Sequence, residues 1–306
     1  MRAAVLHAHG QVPEVGELSD PEPGEDGELL EVLAAGMNPI DIRIATGTLP
    51  AEKHDPPYVA GKEGVGRRAD GSLVWFERSC DPYGAFAART LIPPGSGFPV
   101  PGGVDPALAV CLGVSGLAAW LGLEWRGRLA PGETVLVLGA SGVVGQIAVQ
   151  VAKLLGAGRV VAAGRDAGAL ERAQEPGADA TVVLGDDLAD ASDGGYDVVL
   201  DPLWGAPAEA AIALIAPFGR HVNIGQSAGA EATLSSAAIR ATPIDLLGYT
   251  NFTAGEERKA AAYARLAQHA AAGEIRVEVE RVPLEQAPDA WRRQGSSPHR
   301  KLVIVP

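Results

Sequence analysis

The chain has little cysteine, an excess of acidic over basic residues, and no long apolar run. Its 306 residues include only Cys80 and Cys111, which excludes a disulfide framework and a cysteine-rich zinc module and is typical of a reducing compartment. Lys and Arg number 25 against 38 Asp and Glu, a formal net charge of −13, so binding to nucleic acid or to an anionic membrane surface is not expected. No uninterrupted apolar run approaches the roughly 20 residues of a membrane span, and we expect a cytoplasmic protein.

The pattern of apolar residues divides the chain in two. Residues 1 to about 113 are rich in Pro and Gly, and their short apolar runs predict a small, irregular β domain. A helical stretch then runs from about Pro106 to Leu123, and strands and helices alternate up to about residue 272. Because crossover helices join parallel strands, this second part predicts a parallel sheet. The predicted strands are Thr134 to Leu138, Arg159 to Ala163, Ala180 to Leu184, Asp197 to Leu200 and Gly219 to Ile224, followed after residue 272 by Val277 to Val282 and Lys301 to Val305.

A glycine-rich turn follows the first of these strands and opens directly into a helix. Ala140, Gly142 and Gly145 occupy the three small-residue positions of the dinucleotide-binding fingerprint. The helix start offers free N–H groups and a positive dipole end to a diphosphate. A purely structural glycine turn is the competing interpretation. We predict that the turn binds a dinucleotide through Gly139, Ala140, Ser141, Gly142, Val143, Val144 and Gly145.

The end of the second predicted strand bears on which dinucleotide is bound. An NAD site usually carries an acidic residue there, which would repel a 2′-phosphate. In this chain the position holds Gly164 followed by Arg165, where glycine leaves room and a guanidinium can grip a phosphate. This favours NADPH. The alternative is that Asp166 reaches back to a ribose while Arg165 is merely exposed to solvent.

Several segments, taken together, resemble the medium-chain dehydrogenase/reductase superfamily and its zinc-independent quinone oxidoreductase branch. They are residues 34–41 (AAGMNPID), 61–66 (GKEGVG), 131–137 (PGETVLV), the 139–145 turn, 177–179 (GAD) and 300–304 (RKLVI). The resemblance covers nearly the whole chain. It implies an α/β fold with a GroES-like β-rich catalytic domain at 1–113 and 270–306, a Rossmann NADP-binding domain at 114–269, substrate binding in the cleft between them, and a homodimer.

A zinc site is not predicted. A catalytic zinc needs about three Cys, His or carboxylate ligands and a structural zinc about four. By the resemblance, zinc-ligand positions of the superfamily correspond to Asn38 and Lys62 and fall near Val114, none of which is a usual ligand. The six histidines are scattered without paired spacing. We therefore expect hydride transfer to an acceptor that is already electrophilic, because stabilising an alkoxide without a Lewis acid is difficult.

Candidate catalytic residues follow from the resemblance. Asn38 would line the cleft and donate its amide N–H to a developing oxyanion, although an Asx-type turn before Pro39 is almost as good an interpretation. Lys62 is a weaker candidate on the same wall. Many relatives carry a tyrosine where this chain has Leu49, so no proton donor is assigned.

Aromatic residues of the same domain leave further alternatives open. Tyr58 and Tyr83 are not placed by the sequence, while Trp75, Phe76 and Tyr83 are either walls of the cleft or core residues. The spacing Tyr58-x-x-x-Lys62 matches the catalytic pair of short-chain dehydrogenases. Because Pro56, Pro57 and Gly61 argue against a helix, we interpret this match as coincidence.

The function expected from these observations is NADPH-dependent, metal-independent reduction of a quinone or an α,β-unsaturated carbonyl compound. The partner would be a small-molecule substrate rather than nucleic acid or a membrane. Two alternatives remain: a nucleotide-binding redox-sensing or structural protein without significant turnover, and a secondary-metabolite tailoring enoyl or keto reductase.

Overall fold

The chain folds into two units, described here from a computed structural model that covers residues 1–25, 27–49, 51–174, 176–185 and 188–306. The first unit consists of Met1–Val114, Tyr263–Gly273 and Val277–Pro306, and the second of Ser115–Ala262 and Glu274–Arg276. The domain borders expected from the sequence, 113/114 and 269/270, remain predictions.

The elements follow one another in a mixed order. The strands are β1 (Arg2–Leu6), β2 (Glu14–Glu17), β3 (Glu28–Gly36), β4 (Tyr58–Val59), β5 (Glu63–Arg67), β6 (Leu73–Phe76), β7 (Arg89–Ile92), β8 (Phe98–Pro99), β9 (Thr134–Leu138), β10 (Arg159–Gly164), β11 (Ala180–Val183), β12 (Tyr196–Asp201), β13 (Ile215–Asn223), β14 (Asp245–Gly248), β15 (Val279–Pro283) and β16 (Lys301–Val305). The α-helices are α1 (Pro39–Ala45), α2 (Pro106–Cys111), α3 (Leu117–Leu121), α4 (Val143–Leu154), α5 (Ala167–Gln174), α6 (Gly205–Ile212), α7 (Ser236–Ala241), α8 (Glu256–Ala271) and α9 (Ala287–Gln294).

The first unit is built from largely antiparallel sheet. One sheet has the order β2-β1-β4, and the other has the order β15-β16-β3-β5-β6-β8 with β7 also paired to β3. β16, the last strand along the chain, therefore lies inside a sheet beside β3. Trp75 and Phe76 of β6 are each only 1% exposed, so they belong to the core, as one of the two interpretations of the sequence had it.

The second unit contains a sheet of parallel strands in the order β11-β10-β9-β12-β13-β14. Four of the five residues of β9 are fully buried, as expected for a strand covered on both faces. The mixed α/β fold class with a Rossmann-type parallel sheet is thus confirmed. The direction in which successive strands are added to the sheet reverses between β9 and β12. In this fold, ligands usually bind in a crevice at the carboxyl ends of the strands at such a point.

Two differences from the predicted strands have local causes. β13 begins at Ile215 rather than Gly219, because the register with β12 shifts between Tyr196 and Val198. β14 was not predicted. Its sequence, Asp-Leu-Leu-Gly, carries no alternation of apolar and polar residues.

The helical stretch that begins at Pro106 extends over 21 residues to Arg126, with a kink at Gly113. Its start is capped by the Asp105 carboxylate, which accepts the N–H of Ala107 at 2.9 Å. Length and composition alone would allow this run to cross a membrane, but most of it is buried inside the protein. A buried core helix passes the same test.

Candidate active site

The glycine turn is shaped by close backbone approach. Gly139 has a φ of +62°, and a Cβ on Gly145 would lie 2.4 Å from both Ala140 Cα and Gly139 O. Gly145 therefore has to be glycine for α4 to pack on β9. A Cβ on Gly142 would meet only Gly139 O, at 3.3 Å. Gly142 thus leaves open space at the start of α4, where its N–H groups are available to an anion.

The two residues that follow β10, Arg165 and Asp166, have different surroundings. The Asp166 carboxylate accepts the N–H of Ala169 at 2.7 Å, within the first turn of α5. Arg165 is exposed, and no described residue accepts a hydrogen bond from its guanidinium. A Cβ on Gly164 would lie 3.2 Å from Leu170 Cδ2 and 3.3 Å from Ser141 Oγ, so this glycine also serves close packing against the turn.

A second turn, which sequence reasoning did not single out, packs against the glycine turn. It follows β12, whose last residue, Asp201, is fully buried. The Asp201 carboxylate accepts the N–H groups of Leu203 at 2.7 Å and Trp204 at 2.9 Å, and its other oxygen lies 2.9 Å from His221 Nε2. A Cβ on Gly139 would meet Pro202 and Leu203 at 3.1 Å. Asp201 and His221 therefore hold the turn that forms the second wall of the crevice.

A buried polar network lies in the first unit at the predicted catalytic position Asn38. The Lys301 ammonium donates to Asn38 Oδ1 at 2.6 Å and to Glu63 Oε1 at 2.8 Å. Asn38 Nδ2 donates to Glu63 Oε1 at 2.8 Å and to the Gly36 carbonyl at 3.1 Å. All three side chains are at most 3% exposed. An Asn38 N–H could reach a substrate oxygen only by exchanging one of these partners.

Glu63 closes the network on its other side. Its Oε2 accepts from Trp75 Nε1 at 2.9 Å and from the N–H of Val114 at 2.8 Å. By the resemblance, the superfamily's zinc-ligand positions correspond to Asn38, whose amide is bound to Lys301, to Lys62, and to a position near Val114. The Lys301 ammonium already supplies a positive charge there, so these residues do not fit a zinc ion. Over the described ranges, no group of three or more His, Cys, Asp or Glu side chains is arranged to hold a metal.

Asp41 connects the two predicted catalytic positions. Its carboxylate oxygens accept the backbone N–H of Asn38 at 2.7 Å and that of Lys62 at 2.8 Å. Burial raises the pKa of Asp41 to about 6, against the opposing effect of these two hydrogen bonds. Asp41 therefore ties the start of α1 to the segment before β5.

Lys62 lines a cavity of about 180 Å³ that lies wholly in the first unit. Its ammonium donates to Glu52 Oε1 at 2.6 Å. Tyr58 and Tyr83 line the same cavity, so the structure brings together the residues that the sequence could not place. Tyr58 lies in β4 rather than in a helix, which agrees with our interpretation of the Tyr58-x-x-x-Lys62 spacing.

The Glu52 carboxylate begins a chain of charged groups along this cavity. Its Oε2 lies 3.5 Å from His54 Nε2, and His54 Nδ1 lies 2.6 Å from Asp81 Oδ1. The pKa of His54 is raised by Glu52 and, despite partial burial, by Asp81. Burial opposes ionisation of Glu52, but His54 and Lys62 together lower its pKa. This side of the cavity therefore carries linked acids and bases.

The chain is similar to several known proteins. A family model described as zinc-binding dehydrogenase matches residues 143–267. The quinone oxidoreductase from Thermus thermophilus, solved also in complex with NADPH, has 29% identity and a TM-score of 0.84 over 100% of both chains. These matches bear out the resemblance to the medium-chain dehydrogenase/reductase superfamily that the sequence motifs indicated.

Two curated relatives of the superfamily are longer than this chain. A phenolphthiocerol/phthiocerol polyketide synthase protein of Mycobacterium tuberculosis is 30% identical over 309 aligned positions, gaps included. The match covers 95% of this chain but 14% of that protein. Prostaglandin reductase-3 of Bos taurus is 30% identical over 237 residues, covering 72% of this chain and 61% of that protein. The chain thus spans less than two thirds of either relative.

Proposed function

We propose that the chain is an NADPH-dependent reductase that transfers hydride to a quinone or an α,β-unsaturated carbonyl compound without a metal. The observation that carries the proposal is the glycine turn: Gly145 is fixed by packing, whereas Gly142 leaves the start of α4 open. A diphosphate suits this arrangement, because it needs backbone approach and free N–H groups. The residues that would hold the coenzyme are Gly139, Ala140, Ser141, Gly142, Val143, Val144, Gly145, Gly164 and Arg165.

The preference for NADPH over NADH is supported at the end of β10. The Asp166 carboxylate accepts a hydrogen bond from the N–H of Ala169 in the first turn of α5, which weighs against the alternative that Asp166 binds a ribose. Arg165 stands next to it, exposed and with its guanidinium available to a phosphate. The similar Thermus thermophilus protein was solved with NADPH.

The coenzyme, when bound, supplies a hydride from its reduced nicotinamide. The chain's own contribution is to orient that group and to bind the acceptor. Metal-free chemistry is supported at the Asn38 position, where Asn38 and Glu63 pair with each other and with the Lys301 ammonium. Asn38 and Lys62 remain the proposed catalytic candidates.

Tailoring of a secondary metabolite is a second candidate function, favoured by the similarity of 95% of this chain to a segment of a polyketide synthase. A tailoring enzyme would use the same hydride transfer from NADPH and would differ only in the acceptor. One experiment compares the candidates: the protein is mixed with NADPH and a panel of quinones, small enones and enoyl thioesters, and NADPH absorbance is followed. Consumption with quinones or small enones supports the proposal, and consumption with enoyl thioesters alone supports tailoring. Binding by calorimetry without consumption supports a nucleotide-binding protein without turnover.

A further inference from the structure

The reduction of an enone needs a proton as well as a hydride, and the first unit contains a chain of groups suited to supply one. We propose that Lys62 donates this proton and that Glu52, His54 and Asp81 form a relay that restores it from solvent. The inference rests on the proposed reductase function and concerns the cavity lined by these four residues.

Solvent exposure of the side chains increases from Lys62 to Asp81, so the relay would carry a proton inward from solvent. The Lys62 side chain is 6% exposed, Glu52 18%, His54 24% and Asp81 64%. Charged groups thus run without interruption from a buried ammonium to a carboxylate in water. Two of the three contacts are 2.6 Å, the distance of a short charge-assisted hydrogen bond. The third contact, between Glu52 Oε2 and His54 Nε2, is longer, at 3.5 Å.

The other polar groups near the cavity are less suited to donate. Both Asn38 Nδ2 contacts described above go to acceptors within the protein. Burial, together with the charges of Asp41 and Asp81, raises the pKa of Tyr58 to about 12, which makes its hydroxyl a weaker acid. Asp41 accepts two backbone N–H groups and holds the turn in place. The remaining titratable or charged groups along the cavity are Glu77, Arg78 and Tyr83.

The step balances in atoms and charge. Hydride addition to the β-carbon of an enone brings two electrons and leaves an enolate whose oxygen lies in the cavity. A Lys62 N–H bond breaks as the new O–H bond of the enol forms, and the lysine becomes a neutral amine. A proton then moves from the His54 imidazolium through Glu52 to the amine, while Asp81 holds the other imidazole nitrogen. Water protonates His54 again, and the enol tautomerises to the saturated ketone.

The test uses the full chain, NADPH and 2-cyclohexen-1-one, an enone without other functional groups. We expect Lys62→Met to lower kcat by roughly 10²-fold, as for loss of a general acid, with the affinity for NADPH unchanged. His54→Gln should lower kcat by a smaller factor, and imidazole added to the buffer should restore part of it. The matched control is His7→Gln, which replaces an exposed histidine outside the cavity and should leave kcat unchanged.

A second readout does not depend on turnover. NMR titration of the protein without coenzyme should show that the pKa of His54 falls in Glu52→Gln and in Asp81→Asn. It should not fall in the control Glu257→Gln, which neutralises an exposed carboxylate outside the cavity. A wild-type kcat and pH profile in both Lys62→Met and His54→Gln would overturn the relay while leaving the reductase function intact. If the wild-type protein consumes NADPH with no acceptor of the panel, the reductase function itself fails.

Discussion

At the scale of single residues, the proposed preference for NADPH depends on Arg165. We expect Arg165→Ala to weaken binding of NADPH by about ten- to a hundredfold, the effect of losing one or two charge-assisted hydrogen bonds, and to change binding of NADH little. The measurement is isothermal calorimetry with both coenzymes. Arg172→Ala, an exposed arginine within α5, is the control. Equal losses for the two coenzymes would contradict the assignment.

Lys301 carries a buried charge that pairs with Asn38 and Glu63. Lys301→Met leaves Glu63 charged and fully buried, so we expect a loss of about 3–5 kcal/mol in the free energy of unfolding of the first unit. Urea denaturation measures it. The double variant Glu63→Gln/Lys301→Met should lose less than the sum of the single variants, because neither charge is then left alone.

The control for this prediction is an exposed ion pair. Arg281 and Asp105 contact each other at 2.7 Å with both side chains more than half exposed. Arg281→Met should therefore cost less than about 1 kcal/mol. If Arg281→Met lowered the free energy of unfolding as much as Lys301→Met does, burial would not explain the effect of Lys301.

Some residues of the site could be named from the sequence and others could not. The turn residues 139–145 are adjacent in the chain, and their order alone predicts a strand, a turn and a helix. Lys301 contacts Asn38 from 263 positions away, and the Asp201–His221 pair joins two separate strands. Such partners depend on which strands become neighbours, and no local pattern encodes that.

At the scale of the element, we expect two glycines of the turn to have different roles: Gly145 in packing and Gly142 in coenzyme binding. We expect Gly145→Ala to destabilise the second unit by about 1–3 kcal/mol, because the new methyl group meets backbone atoms at 2.4 Å. Gly142→Ala should change stability by less than about 1 kcal/mol and still abolish most NADPH binding, since its Cβ enters the space that the diphosphate needs. Thermal unfolding and calorimetry on both variants test the pair.

The outcome that contradicts this division is specific. If Gly142→Ala keeps wild-type affinity for NADPH, the open space beside Gly142 is not used by the coenzyme. If Gly145→Ala keeps wild-type stability, α4 does not depend on close approach to β9.

Elements with a buried apolar run were predicted best. The bounds of β9 and β16 match the prediction, because each begins with a polar residue, continues as four apolar residues and ends before a glycine or a proline. β14 and α7 were missed. β14 is short and at most half-buried, and tertiary contacts rather than intrinsic preference hold such a segment in a sheet.

At the scale of the whole molecule, the edge of the parallel sheet supports a prediction about assembly. β14 ends the sheet, and Leu246 on it is 40% exposed. An exposed apolar edge strand is a template for pairing with another chain. We propose a homodimer, for which light scattering should give about twice the 31.4 kDa of one chain.

The variant that tests this edge is Leu246→Lys. A charge on the edge strand should shift the protein toward the monomer and leave its far-ultraviolet circular dichroism unchanged. Ala51→Lys, at an exposed position of the first unit, should stay dimeric. A monomeric wild type would refute the homodimer, and an unaffected Leu246→Lys dimer would move the interface elsewhere.

The position of β16 inside the first sheet has a consequence for biosynthesis. The second unit is almost continuous in the chain, whereas the first needs residues 277–306 to be complete. On the ribosome, segment 115–262 emerges whole while Gly36 and Ala35 of β3 still await Val303 and Ile304. The half of the protein that is made first is therefore the half whose sheet is completed last.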